Sequence, residues 1–97
     1  MPTFHIDDRF RAEWARLRPD QQAAFHVARR RLLAALLAGE RLDPRLGVKR
    51  FHRIPGAFEL RWAADGRALW KYGDIIPGKP GPHIIWLSIG THDIYKR

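Results

Sequence analysis

The spacing of apolar residues changes near residue 41, and this change constrains the fold more than any other feature of the chain. Before it, apolar residues recur every three or four positions, which predicts one helix over residues 8–17 and a second over residues 19–38. Gly39 is a natural C-terminal cap for the second helix. After residue 41, short alternating runs are separated by prolines and glycines, which predicts strands and turns. The chain should therefore form an α+β domain.

The clearest strand signal lies in residues 58–62, where apolar and polar residues alternate strictly. This alternation turns Glu59 and Arg61 to one face of the strand and the apolar side chains to the other. An Asp-Gly turn then leads into a second strand over residues 68–72, so the two strands form a hairpin with polar groups on one face. Three other segments are predicted with less detail: a loop at 74–82, a central apolar strand at 83–90 and a weakly signalled strand at 3–6.

The length and composition exclude several classes of protein. Ninety-seven residues suffice for one domain, 1–97, and are too few for two. No apolar run approaches the roughly 20 residues of a membrane span, and the N-terminus lacks the pattern of a secretion signal, so we expect a cytoplasmic protein. The absence of cysteine excludes disulfide scaffolds, thiolate nucleophiles and cysteine-type zinc sites.

The net charge of +8 is distributed unevenly along the chain. Residues 1–40 contribute +2, whereas residues 41–97 contribute +6. Fourteen of the 18 cationic residues are arginine, which offers bidentate contacts to phosphate, although a GC-rich genome would produce the same bias. The asymmetry between the halves predicts an anionic partner such as nucleic acid.

Two segments carry a family resemblance: LGVKRFHRIPGAFELRWAADGRALWKYG at 46–73 and HIIWLSIGTHDIY at 83–95. Their order resembles the RelE/ParE toxin superfamily, particularly its RelE and HigB-like members, and the resemblance extends from about Phe10 to Arg97. It implies an N-terminal helical hairpin packed on one face of a small antiparallel sheet of about four strands. It also implies the toxin of a type II toxin–antitoxin system, with a cognate antitoxin protein as partner. RelE-type members cut messenger RNA in the ribosomal A site, whereas ParE-type members inhibit DNA gyrase.

RNA cleavage without a metal needs a base for the 2′-hydroxyl, an acid for the departing 5′-oxygen and cations that stabilise the phosphate. The sequence has no metal-ligand spacing, phosphate-binding loop or nucleophile elbow, so we expect a metal-independent endoribonuclease without a cofactor. Arg61 and Arg67 can reach the same side of the hairpin. They are the candidate phosphate-binding residues, and the resemblance supports this role.

The candidate catalytic set has three further residues: the resemblance supports His92 and Tyr95, and the place of Glu59 beside Arg61 on the same strand face suggests the third. His92 would transfer protons, since neutral histidine is suited to this task near pH 7. Tyr95 would stack on a base, although it could equally anchor the core. Glu59 is a candidate base, although an adjacent arginine would lower its pKa and a structural Glu–Arg pair explains it equally well.

The densest basic cluster lies before the hairpin, in a segment expected to be loop. Together with a lysine of the second hairpin strand, it is expected to bind messenger RNA and ribosomal RNA; these residues are Lys49, Arg50, His52, Arg53 and Lys71. The main alternatives are a gyrase inhibitor and a member of the fold that has lost its catalysis and only binds nucleic acid or protein. A gyrase inhibitor has no need of Arg61, Arg67 and His92 around one face. A general DNA-binding module is disfavoured because no recognition helix is visible.

Overall fold

The computed structural model describes residues 3–74, 76–79 and 81–91. In this part of the chain there are two α-helices, α1 (Asp8–Trp14) and α2 (Pro19–Ala38), and one 3₁₀ turn at Pro44–Leu46. The strands are β1 (Thr3–Ile6), β2 (Lys49–Arg50), β3 (Ala57–Arg61), β4 (Gly66–Gly73) and β5 (His83–Thr91). Neither helix of this part is long and apolar enough to cross a membrane.

The helices follow the predicted boundaries closely. Helix α2 has the predicted limits, and Gly39 adopts the left-handed conformation (φ 68°) that closes it. Helix α1 ends at Trp14, three residues earlier than predicted, and residues 15–17 form a turn before Pro19. The apolar spacing continues through this turn, so periodicity alone overestimated the length of α1.

The sheet has the strand order β1-β5-β4-β3-β2. Strand β1 pairs in parallel with β5, whereas the other neighbouring strands are antiparallel. The expected antiparallel sheet of about four strands is therefore wrong in strand number and in strand direction. The α+β class is confirmed. Strand β2, in the segment expected to be loop, accounts for the additional strand, whereas β1, expected at 3–6, precedes the helices and pairs in parallel with β5.

Aromatic and aliphatic side chains of both helices pack against one face of the sheet. The rings of Phe10 and Phe25 lie with their centroids 6.1 Å and 5.1 Å from that of Trp86 on β5. The core continues across the sheet through Leu60 and Trp70, which are almost completely buried. Burial of these large side chains is the main favourable contribution to folding. On the other face of the β3–β4 hairpin, Ala57, Glu59 and Leu69 are also buried, whereas Arg61 at the end of β3 is exposed.

A β-bulge in β5 connects the sheet to α1. The register with β4 passes from Ser88 to Trp86, so Leu87 is the extra residue. Glu13 of α1, only 5% exposed, accepts hydrogen bonds from Ser88 Oγ (2.7 Å) and from the Ile89 backbone N–H (3.3 Å). A buried carboxylate needs such donors, and these two join α1 to the bulge.

Candidate nucleic-acid interface

The two candidate phosphate-binding arginines lie directly opposite each other in the hairpin. Arg61 ends β3, Arg67 is the second residue of β4, and the register pairs them across the two strands. Paired residues of neighbouring strands share a face, so both positions lie on the face opposite the helices. Because Arg61 is the last residue of β3, its side chain also lines a cavity together with residues of α2. Like charges at such positions repel, which makes the pair unfavourable for the isolated hairpin.

Arg67 is held by the hairpin turn. Its Nη1 donates hydrogen bonds to the backbone oxygens of Ala63 (3.2 Å), Ala64 (3.2 Å) and Gly66 (2.9 Å). Nη1 carries only two of the five N–H donors of a guanidinium group, so the three backbone oxygens share two hydrogens. The turn thereby fixes the orientation of this cation through one end of its guanidinium group.

Arg61 is positioned by the 3₁₀ turn before β2. Its Nε donates a hydrogen bond of 3.4 Å to the backbone oxygen of Arg45. Gly47 leaves the space for this contact, because a Cβ atom there would lie 3.0 Å from Cβ and 3.3 Å from Nε of Arg61. Gly47 also has a positive φ angle of 57°. The absence of a side chain therefore permits both this backbone conformation and the position of the Arg61 side chain.

Two further arginines, which the sequence did not single out as site residues, lie near Arg61. Arg31 of α2 and Arg45 line the same cavity of about 420 Å³ as Arg61. Arg45 forms an ion pair of 2.9 Å with Asp43. The hydrogen bonds from Arg45 hold the pKa of Asp43 below its ordinary value. Arg31 and Arg45 are separated from Arg61 by many residues, so only the folded chain brings the three together.

Glu59 is paired with Lys49, not with Arg61. The two residues lie opposite each other on β3 and β2, with Lys49 Nζ 3.5 Å from the Glu59 carboxylate. Glu59 is only 6% exposed, while the Lys49 side chain is largely in solvent. A structural Glu–Arg pair was considered from the sequence; the structure shows an ion pair with lysine instead. This arrangement makes Glu59 a less accessible base than its place on the strand suggested.

The remaining basic candidates surround the other end of the hairpin. Arg50 belongs to β2 and is exposed, as are His52 and Arg53 in the segment that follows. Lys71 lies opposite Ala57, at the end of the hairpin distant from Arg61. Arg50, His52 and Lys71 line one cleft of about 480 Å³. The structure thus brings three of the five predicted RNA-binding residues to a single concave surface.

His92 and Tyr95, the other two catalytic candidates, lie outside the described residues. Their roles stay predictions. Within the described residues, no group of three His, Asp or Glu side chains could hold a metal ion.

A third cavity, of about 390 Å³, lies on the helix-covered side of the sheet. Its walls are mostly aromatic and include Phe10, Trp14 and Trp86. His26 at this cavity has a pKa below its ordinary value because partial burial and nearby arginines disfavour its charged form. The cavity is apolar and belongs to a different face from the arginine pair.

Comparisons with known proteins extend the description of the fold. No family model matches the sequence, and no curated protein is similar to it in sequence. Among solved structures, a copper-bound mutant toxin from Helicobacter pylori is similar, with a TM-score of 0.68 and 16% identity over 97% of this chain and 98% of that chain. The intact RelBE toxin–antitoxin complex of E. coli contains a similar chain, with a TM-score of 0.57 and 16% identity over 92% and 94% of the two chains.

The conserved hypothetical protein HP0894 from H. pylori gives a TM-score of 0.54 and 16% identity, over 96% of this chain and 97% of its own. Each of these similarities extends over nearly the whole length of both chains, so the helices and the mixed sheet correspond as one unit. The resemblance is thereby confirmed for the fold: the chain has the fold of these two H. pylori proteins and of a chain of the RelBE toxin–antitoxin complex.

Proposed function

We propose that this chain is the toxin of a type II toxin–antitoxin pair and that it cuts messenger RNA in the ribosomal A site. The observation that carries the proposal is the arginine pair. Arg61 and Arg67 lie directly opposite each other, which is electrostatically unfavourable unless an anion lies between them. Backbone oxygens of the two turns hold both guanidinium groups in place before any ligand binds. A phosphodiester is the anion that suits two fixed guanidinium groups.

The reaction that this arrangement supports is metal-independent cleavage of the RNA backbone. A base takes the proton of the 2′-hydroxyl as its oxygen attacks phosphorus, the bond to the 5′-oxygen breaks, and an acid protonates that oxygen. Arg61 and Arg67 would stabilise the charge that develops on the phosphate. We assign proton transfer to His92 and base stacking to Tyr95. Since Glu59 is buried and paired with Lys49, we assign it a smaller role in proton transfer than His92.

The fold and the charge support the proposed partners. RelE-type structures include a complex with an antitoxin, which supports a cognate antitoxin for this chain. The exposed cations Lys49, Arg50, His52 and Arg53 suit the backbone of messenger RNA and ribosomal RNA. The surplus of positive charge in residues 41–97 supports the same assignment.

The test is to incubate the purified protein with translating ribosomes and to map the ends of the message by primer extension. The wild type should cut at codons in the A site. Arg61→Gln and Arg67→Gln should each reduce the cutting rate by about 10²–10³, as loss of one preorganised donor does. His92→Ala should reduce it at least tens-fold, as loss of an acid–base group does. Arg30→Gln, which removes an exposed arginine on α2, is the matched control and should leave the rate unchanged.

Other outcomes would change the assignment. Intact message together with stalled gyrase cleavage complexes would replace the nuclease with a gyrase inhibitor. If neither activity is found, the chain only binds its partners. Equal losses in Arg30→Gln and Arg61→Gln would show that net charge, and not the arginine pair, determines the rate.

A further inference from the structure

The cleft at the end of the hairpin distant from Arg61 combines positive charge with an exposed aromatic ring. It lies beside the segment between β2 and β3 and has a volume of about 480 Å³. Its cations are Arg50, His52 and Lys71, and none of the described residues that line it is acidic. A cleft of this charge attracts an anionic ligand.

Tyr72 forms part of the wall of this cleft, and 49% of it is exposed. Its ring is nearly perpendicular to those of Phe58 (78°, centroids 6.1 Å apart) and Trp70 (81°, 5.3 Å). Phe58 and Trp70 are in turn stacked on each other at 4.9 Å. These contacts fix the orientation of the tyrosine ring although half of its surface faces solvent, so stacking a ligand on it costs little conformational entropy.

The exposure of Tyr72 is not required by the fold. It follows Lys71 on β4 and pairs with Ile84, which is fully buried, so its position belongs to the apolar side of the sheet. The register pairs Phe58, a neighbour of its ring, with Trp70 in the core. A half-exposed tyrosine is common by itself, so the informative observation is its position beside Arg50 and Lys71. An aromatic ring beside phosphate-binding cations is the arrangement that binds single-stranded nucleic acid.

We propose that this cleft is a subsite for one unpaired nucleotide of RNA, whose base stacks on Tyr72 and whose phosphates contact Arg50 and Lys71. The inference rests on the RNA-binding part of the proposed function. It adds a base-binding residue on the hairpin at the end distant from the arginine pair. Because stacking does not distinguish bases strongly, the subsite would position the RNA without selecting its sequence.

The test is fluorescence anisotropy with a labelled oligouridylate whose riboses are 2′-O-methylated, so that the attacking hydroxyl is absent. Tyr72→Ala should weaken binding about 5- to 150-fold, the range that loss of one base–aromatic stack produces. Tyr72→Phe keeps the ring and should bind like the wild type. Phe4→Ala removes another exposed aromatic side chain (58% exposed) from outside the cleft and should have no effect.

The salt dependence separates stacking from charge. Lys71→Gln should lower the slope of log affinity against log salt by about 0.7, as expected for one phosphate contact to a single strand. Tyr72→Ala should leave this slope unchanged.

Three results would overturn the subsite: no binding by the wild type, unchanged affinity in Tyr72→Ala, or an equal loss in Phe4→Ala. Weaker binding of an antitoxin to Tyr72→Ala, with unchanged RNA affinity, would assign the cleft to a protein instead. The cleavage assay reports on the proposed function separately. A protein that cuts message and is indifferent to Tyr72→Ala would retain that function and lose this subsite.

Discussion

A methyl group at Gly66 would collide with the indole ring of Trp62. The added Cβ would lie 2.5 Å from Cδ2 and Cε2 of the ring and 2.7 Å from Cε3. Trp62 is only 7% exposed and belongs to the core, so its ring cannot move away as the end of a flexible side chain could. Gly66 does not have a positive φ angle, so its backbone accepts alanine and the effect of Gly66→Ala is purely steric.

The size of the effect follows from two opposing contributions. Inserting a methyl group into a well-packed core typically costs about 1–3 kcal/mol. Replacing glycine by alanine also restricts the unfolded chain, which stabilises the protein by about 0.4–1 kcal/mol. The two contributions differ by about 0–2.6 kcal/mol. Because the added Cβ would meet a buried ring at 2.5 Å, we expect Gly66→Ala to lower the free energy of unfolding by about 1–2 kcal/mol. For a domain of this size, the melting temperature should fall by about 4–16 °C.

The assay is thermal and urea unfolding of Gly66→Ala, Trp62→Phe and the double variant. Trp62→Phe shortens the ring that the methyl group meets. The indole Nε1 is buried without a hydrogen-bond partner in the described part of the chain, so the phenyl ring removes no hydrogen bond. Gly66→Ala should cost at least about 1 kcal/mol less in the Trp62→Phe background than in the wild type. Equal costs in both backgrounds, or a Gly66→Ala protein as stable as the wild type, would refute the steric argument.

Two further predictions concern buried and exposed carboxylates. Ser88→Ala removes a donor from the buried Glu13 carboxylate and should lower the free energy of unfolding by about 1–3 kcal/mol, measured by urea unfolding. A Glu13→Ala/Ser88→Ala double variant no more destabilised than Glu13→Ala alone would confirm the coupling, and strict additivity would contradict it. Asp43 has a lowered pKa because Arg45 donates hydrogen bonds to it, so its ion pair stabilises the fold above the ordinary aspartate pKa of about 3.9. The stability difference between wild type and Asp43→Asn should therefore shrink as the pH falls through the folded pKa; a difference that stays constant from pH 7 to pH 2 would exclude this origin.

The parts of the fold that depend on near neighbours in the chain could be predicted. The apolar stripe, the proline at its start and Gly39 at its end specify α2, and the structure has the same limits. The Asp-Gly turn and the alternation of residues 58–62 predict the hairpin, and its register places Arg61 opposite Arg67. Each of these features is decided by hydrogen bonds and steric contacts within a few residues.

The strand order could not be predicted in the same way. Strand β1 pairs with β5 across about 80 positions of sequence, and β2 has only two residues. Such pairs form because the packed core brings distant segments together, and no local sequence pattern indicates which segments will pair. The β-bulge at Leu87, which Glu13 joins to α1, is likewise a product of packing between distant segments.

The features of the candidate site likewise separate into those that the sequence determines and those that depend on packing. The sequence by itself determined which residue types are present, that positive charge concentrates in residues 41–97, and that Arg61 and Arg67 share a face. Only the tertiary structure decided the partners of these groups: Glu59 is paired with Lys49, and Arg61 donates a hydrogen bond to the backbone oxygen of Arg45. It also decided that Tyr72 lies exposed beside Arg50 and Lys71. The physical reason is that charge and strand periodicity are properties of the chain itself, whereas burial and pairing depend on which distant segments pack together.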